Sequence, residues 1–395
     1  MANTLELYYE SAYLREFDAT VLSCTEGGDG SFFVCLDRTA FFPEQGGQSC
    51  DKGVIIDRNG KEHAVKYVSI QDGVITHCLD SSFSEGECVH GVIDFTHRFS
   101  NMQQHTGEHI FSGIVNSRFG YDNVGFHLSD SEVTMDYNGQ LTQEDIREVE
   151  TLVNEAIWAN VEVICSFPSD EEFSKTDYRS KKELTGAIRI VTIPGYDVCA
   201  CCAPHVLKTG EIGLLKVVKA QNYKGGTRIS ILCGKRALEY ISLEHGIVDD
   251  LVRIFTTSQD NIISSVEKLK NELSACKGQV VELQNRLLDH EIREVDSDLK
   301  NVFLVKEASL DQNVIRKTVN LLSASHPGFC GVFAGDDKNG YRYIIASGTD
   351  SKDARQLQKV LSQEFGAKGG GNSPMIQGSL GGIDIKAVIN RCQEF

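Results

Sequence analysis

Between residues 238 and 295 the chain contains no proline, and Ile262, Val266, Leu269, Leu273, Cys276, Val280, Leu283 and Leu287 recur at alternating steps of four and three. This is the spacing of a coiled-coil seam. It predicts a helical segment over residues 237–297 that pairs with a second copy of the chain or folds back as a hairpin; pairing between subunits is the expected use. Gly278 weakens the helix locally. A chain of 395 residues exceeds the size at which one core stops growing, so several domains are expected.

Residues 1–95 show a different period. Short alternating segments such as ATVLSC, SFFVCL and GVIIDR are broken by EGGDG and RNG, which predicts a small β-barrel. The stretch FFPEQGGQSCDKG interrupts them, and Gly46 and Gly47 there permit a hairpin turn or a loop that approaches a neighbouring site. Residues 96–236 mix a helix around 98–118, a helix from Thr142 to about 159 and strand-like SEVTMDY, IRIVTI and IGLLKVVKA, the pattern of an α+β domain. Residues 298–395 alternate strand-like and helical runs as a small α/β domain. They include GAKGGGNSPMIQGSLGG, read as a loop whose backbone approaches a ligand or nucleic acid through Lys368, Gly369, Gly370 and Gly371.

Charge and cysteine content narrow the class. A net charge of −17 argues against nonspecific coating of nucleic acid, which rests on cation contacts. A local basic stretch remains, with Lys208, Lys216, Lys219, Lys224, Arg228, Lys235 and Arg236 opposed only by Glu211. The 13 cysteines are scattered and odd in number, which suits reduced, buried thiols better than a disulfide framework. No apolar run approaches the roughly 20 residues that span a bilayer, and the opening MANTLELYYESAYLREFD lacks the form of a secretory signal, so a cytoplasmic protein is expected.

The chemistry concentrates in HTGEH, residues 105–109. On a helix His105 and His109 share a face. DVCACCAPHV repeats the four-residue step with Cys201 and His205. Two imidazoles from one stretch with a thiolate and an imidazole from the other make a plausible set for a divalent metal such as zinc. Cys199 and Cys202 compete for the thiolate role; Cys201 is preferred because it mirrors the histidine spacing. Glu108 points away from the shared face of a regular helix and is expected to be solvated or to stand behind the ligands.

These motifs resemble the editing domain of alanyl-tRNA synthetase and of the freestanding alanyl-tRNA editing proteins. FFPEQGGQSCDKG resembles their glycine-rich motif, GFHLSDSEVTMDY the strand after the histidines, and GEIGLLKVVK with GGTRISILCGKRAL the usual sequel. The seam and the C-terminal glycine-rich stretch are similar to the synthetase's coiled coil and tRNA-binding tail and to domains associated with DHH phosphoesterases. The resemblance implies a deacylase that hydrolyses seryl, and also glycyl, esters of alanine-specific tRNA, with one zinc held by His105, His109, Cys201 and His205. A zinc-centred water is the expected agent, and no side chain is singled out as catalytic. Thr134 and His127 are candidates for the polar contact that selects serine, and Gly46, Gly47 and Gln48 for the entrance. Lys224, Arg228 and residues 368–371 are candidates for the nucleic-acid contact, and a homodimer through the seam is expected. One departure stands out: the family's Cys-Gly-Gly-Thr-His reads Cys201, Cys202, Ala203, Pro204, His205 here. Two rival readings are a DHH-type phosphoesterase, whose nearest motif is Asp289–Glu291, and a noncatalytic tRNA-binding zinc module.

Overall fold

The computed structural model describes residues 4–28, 30–180, 188–349 and 352–395, in two compact units, Met1–Val248 and Asp249–Phe395. In the first unit, alternating apolar residues build an antiparallel seven-stranded sheet that nearly closes on itself. Its order is Glu62–Val65, Gly53–Ile56, Cys88–Ile93, Glu16–Glu26, Phe32–Leu36, Val74–Leu79, Tyr67–Gln71. Val34, Leu36, Phe41, Phe42, Ile55, Val68 and Ile75 fill its interior. His77 is fully buried there as well, and burial lowers its pKa to about 4. Its neutral ring is fully used: Nδ1–H donates to the Val34 carbonyl at 3.1 Å, and Nε2 accepts from the Thr39 hydroxyl at 2.9 Å. Arg98 and Asp51, both buried, form an ion pair at the base of this sheet, and Arg98 also donates to the carbonyls of Ala12 and Ala40.

The same unit continues into the α+β portion. The histidine helix, Phe95–Phe119, starts at Asp94, whose carboxylate accepts from the His97 amide, and stops at Gly120 in the left-handed region. Residues Asn101–Val115 are buried throughout, so the helix runs inside the unit rather than over its surface. A second helix, Gln143–Ala159, opens on a capping box between Thr142 and Asp145. These helices pack with a four-stranded antiparallel sheet ordered Asn123–Leu128, Val133–Tyr137, Gly226–Cys233, Leu215–Tyr223. A three-stranded sheet, Ile164–Ser166, Ile190–Ile193 and Asp197–Ala200, lies beside the histidine helix. Gly113 permits that approach: a Cβ there would stand 2.2 Å from the Tyr196 carbonyl oxygen and 2.9 Å from the Asp197 Cβ.

The segment expected as one long helical stretch is two helices, Gly234–Phe255 and Ile262–Glu294. The interruption has a local cause. Thr256 adopts a φ of 48° and a short 3-10 turn covers Gln259–Asn261, where Thr256, Thr257 and Ser258 offer poor helix formers in a row. Within the second unit, the seam residues Val266, Leu269, Leu273, Val280, Leu283 and Leu287 of the 33-residue helix remain exposed. The rest of this unit is a five-stranded sheet, ordered Val302–Lys306, Phe329–Asp336, Gly340–Ser347, Met375–Leu380, Lys368–Gly371, with only its first pair parallel. The expected glycine-rich loop is therefore corrected to a hairpin on the sheet edge. Buried Ile376 and Leu380 alternate with polar or small residues, a period-2 signal that the surrounding glycines obscure.

Candidate metal centre

His105 and His109 lie one turn apart on the buried histidine helix, with ring centroids 5.3 Å apart. Opposite them, the loop after strand Asp197–Ala200 brings in Cys201 and His205. The Cys201 Sγ is 3.5 Å from His105 Nε2 and 3.4 Å from His205 Nε2, and the ligand atoms of all four residues lie within 4.8 Å of one another. A tetrahedral zinc site with bonds of about 2.0–2.1 Å to nitrogen and about 2.3 Å to sulfur has ligand-to-ligand edges of roughly 3.3–3.6 Å. The four side chains can thus hold a metal ion.

The far side of each imidazole supports this reading. His105 Nδ1–H donates to Gln48 Oε1 at 2.7 Å, and His109 Nδ1–H to Asp197 Oδ2 at 2.9 Å. His205 Nδ1 meets the Thr106 hydroxyl at 3.0 Å; that hydroxyl already donates to the Met102 carbonyl and must therefore accept from the ring. All three rings consequently carry their proton on Nδ1 and turn a bare Nε2 inward, the tautomer a metal needs. Asp197 is itself held by Arg179, whose Nε donates at 2.8 Å. Burial would raise the Asp197 pKa, but His109 and Arg179 hold the carboxyl below its ordinary range. Burial would likewise lower His109, yet Cys199, Asp197 and Glu108 raise it, an electronegative surrounding that suits a cation held at the bare Nε2.

Arg189 fixes the ligand loop by donating to the carbonyls of Cys201 at 3.1 Å and Ala203 at 2.8 Å, while the Ala203 amide donates to the Cys201 Sγ. Of the competing thiols, Cys199 is buried beside His109 and Asp197 with its pKa raised by burial. Cys202 faces the pocket, and burial pushes its thiol up to about 12. Glu108 is not solvated: it is fully buried, and its Oε1 accepts from Ser112 at 2.6 Å and Asn123 at 2.7 Å.

Three of the four donors, His105, His109 and Cys201, line a cavity of about 530 Å³ together with Tyr9, Gln45, Gly46, Gly47, Phe126, Phe167 and Arg189, among others, while His205 stands behind Cys201. Gly46 and Gly47 belong to a loop of the barrel that docks on strand Asn123–Leu128, with the Leu128 amide donating to the Gly47 carbonyl at 2.7 Å. Gly47 has a φ of 85°, and a Cβ there would stand 2.6 Å from the Phe126 carbonyl oxygen, so both conformation and space demand glycine. Gln48 lies behind His105 rather than on the cavity wall, with Nε2 buried and unpartnered. His127 and Thr134 face each other across paired strands and lie off the cavity. Strand alternation turns Phe126 toward His105, at 4.7 Å between rings, and its neighbour His127 to the opposite face, where it is exposed.

The proposed nucleic-acid contacts lie elsewhere. Lys224 sits in a hairpin turn with its ammonium 5.1 Å from the Tyr223 ring centroid, and Arg228 grips Asp136 through a forked ion pair while stacking on the same ring at 3.7 Å. Lys368, Gly369, Gly370 and Gly371 form an exposed edge strand of the second unit. Asp289 and Glu291, the nearest match to a DHH motif, pair with Lys317 and Lys306 on a helix surface and have no part in the cavity. Sequence reasoning missed Tyr9, Gln45, Phe167, Arg189 and Asp197. For Asp197 a signal existed, since a carboxylate commonly stands behind a ligating imidazole and this one is four residues before Cys201.

Two family models match parts of the chain. Residues 6–97 match the model of class II (A) tRNA synthetases, and residues 188–230 that of the threonyl and alanyl tRNA synthetase second additional domain. The particular relatives are alanine–tRNA ligases. That of Ignicoccus hospitalis is 28% identical, covering 93% of this chain and 40% of the relative, and that of Hyperthermus butylicus is 30% identical, covering 94% and 41%. The enzyme of Halobacterium salinarum is 33% identical over 64% of this chain and 28% of its own. The likeness to alanyl-tRNA synthetases implied by the motifs thus extends over nearly all of this chain, which spans about two-fifths of the length of the first two relatives. Among solved structures, the C-Ala domain from Aquifex aeolicus alanyl-tRNA synthetase matches 25% of this chain and 90% of its own at 13% identity, with a TM-score of 0.22. Among the described residues no helix is long and apolar enough to cross a membrane.

Proposed function

We propose that the chain is an editing hydrolase that deacylates alanine-specific tRNA carrying a wrong amino acid, chiefly serine and also glycine. The observation that carries this reading is the convergence of His105, His109, Cys201 and His205, three of which line a cavity far larger than a bare ion requires. One zinc per chain, held by these four residues, would fill a tetrahedral shell, so it would act as a Lewis acid or activate water only by taking a fifth ligand or releasing one of the four, and would otherwise serve to hold the substrate's amino group. Gln48, Asp197 and Thr106 keep the three imidazoles turned inward. Gly46 and Gly47 let the barrel loop close over the site without side chains in the way.

Selection of serine over alanine needs a buried polar partner for the extra hydroxyl. His127 and Thr134 lie off the cavity; Gln45 takes their place, because it lines the cavity and its Oε1 is buried without a partner. The substrate's tRNA portion is the proposed partner of the edge strand at residues 368–371 and the hairpin at Lys224, and the cytoplasm, where tRNA is charged, is the proposed compartment. The exposed seam on helix Ile262–Glu294 is proposed to pair two copies of the chain.

Elemental analysis of purified protein together with a deacylation assay on seryl-tRNA of alanine identity tests the reading. Wild type is expected to carry one zinc and to release serine, and His105→Ala to lose both. Full activity in His105→Ala would overturn the assignment.

A further inference from the structure

The outer part of the cavity is built differently from its floor. Tyr9 comes from the short helix Leu7–Glu10, which Leu7 and Tyr8 anchor in the barrel core. Phe167 directly follows the strand Ile164–Ser166, whose Ser166 pairs with Ile190, so it emerges beside Arg189. The two aromatic rings meet edge to face with centroids 5.3 Å apart and planes at 84°, and the Arg189 guanidinium carbon lies 5.4 Å from the Tyr9 centroid. Phe167 is 51% exposed, so the fold itself uses only half of a large apolar side chain that lines a cavity. Among the described residues lining this cavity there is no carboxylate, in a chain whose net charge is −17.

A seryl group would fill a small fraction of about 530 Å³. The remaining space has flat apolar faces, one fixed cation and no acid, which is the chemistry of a stacking platform for a nucleobase attached to phosphate. We propose that Phe167 and Tyr9 form a stacking subsite for the terminal nucleobase of the tRNA acceptor end, with Arg189 placed toward its backbone. This rests on the deacylase reading for its biological substrate, though the subsite is defined by its own geometry. The orientation follows: the ester joins amino acid to terminal ribose, so a base held at the rim directs the ester toward the four donors.

The test uses full-length, zinc-loaded protein with Phe167→Ala, Phe167→Leu and Phe167→Trp, read in two assays. In deacylation of seryl-tRNA, loss of one base–aromatic stack is expected to raise KM about 5- to 150-fold for the alanine and leucine variants with kcat little changed, and tryptophan is expected to retain wild-type behaviour. In direct binding, the trinucleotide CCA is expected to lose affinity by a similar factor in the first two variants. Leucine keeps the apolar volume, so its failure and tryptophan's success separate stacking from packing. If wild type deacylates and Phe167→Ala shows unchanged KM and CCA affinity, the subsite is refuted. If wild type does not deacylate but binds CCA through Phe167, the subsite stands and the editing reading falls.

Discussion

Replacing Asp197 with asparagine keeps the side chain's shape and removes its charge. Asp197 is buried and accepts from His109 Nδ1–H at 2.9 Å and from Arg179 Nε at 2.8 Å, so it is the anion behind one proposed ligand. Removing the outer partner of a ligating histidine weakens metal binding about 10- to 100-fold, equivalent to about 1.4–2.7 kcal/mol. Two measurements should agree on that figure. Competition against a chromophoric chelator gives the zinc affinity directly. Denaturation at a fixed free zinc concentration well above both dissociation constants gives a metal-dependent stabilisation that falls by the same amount. Asp197→Asn also leaves the largely buried Arg179 without its charge partner, which destabilises the chelated protein too; the difference between zinc-loaded and chelated samples isolates the metal contribution. A folded Asp197→Asn protein that binds zinc within about twofold of wild type would refute the argument that Asp197 sets the His109 ring for a metal.

Two further predictions concern the scaffold. The folded pKa of His77, about 4, lies below its ordinary value of 6.5, so the unfolded chain binds the extra proton between these values. The stability that this group contributes is complete above pH 6.5 and is lost as pH falls toward 4, by about 3 kcal/mol in total; denaturant titrations of His77→Gln, which cannot titrate there, should lack this component of the acid slope. If the exposed seam pairs two copies, wild type should sediment as a dimer at micromolar concentration. Leu273→Glu together with Leu283→Glu should then give a folded monomer, and a monomeric wild type would remove the pairing argument.

Local features were legible in the sequence because they depend on neighbours a few residues apart. The four-residue steps His105 to His109 and Cys201 to His205 and the Thr142 cap are of this kind. What the sequence hides is set by distant pairing: Asp197 meets His109 across 88 residues, and Gln48 meets His105 across 57. Strand parity explains the misplaced pocket candidates, since Phe126 and His127 are adjacent in sequence yet lie on opposite faces. Glycine content likewise concealed the hairpin at 368–380, whose period of two rests on Ile376 and Leu380 alone. The helical break at Thr256 rests on a run of residues with weak helix preference, a fainter signal than the regular apolar spacing beyond it.

The contact between Gln48 and His105 ties two parts of the first unit that draw on separate cores. Gln48 is carried by the barrel, and His105 by a helix buried elsewhere, so the barrel steers an imidazole it does not own. A fragment beginning after the barrel would keep every proposed donor atom, yet lose the amide oxygen that receives the His105 Nδ1 proton.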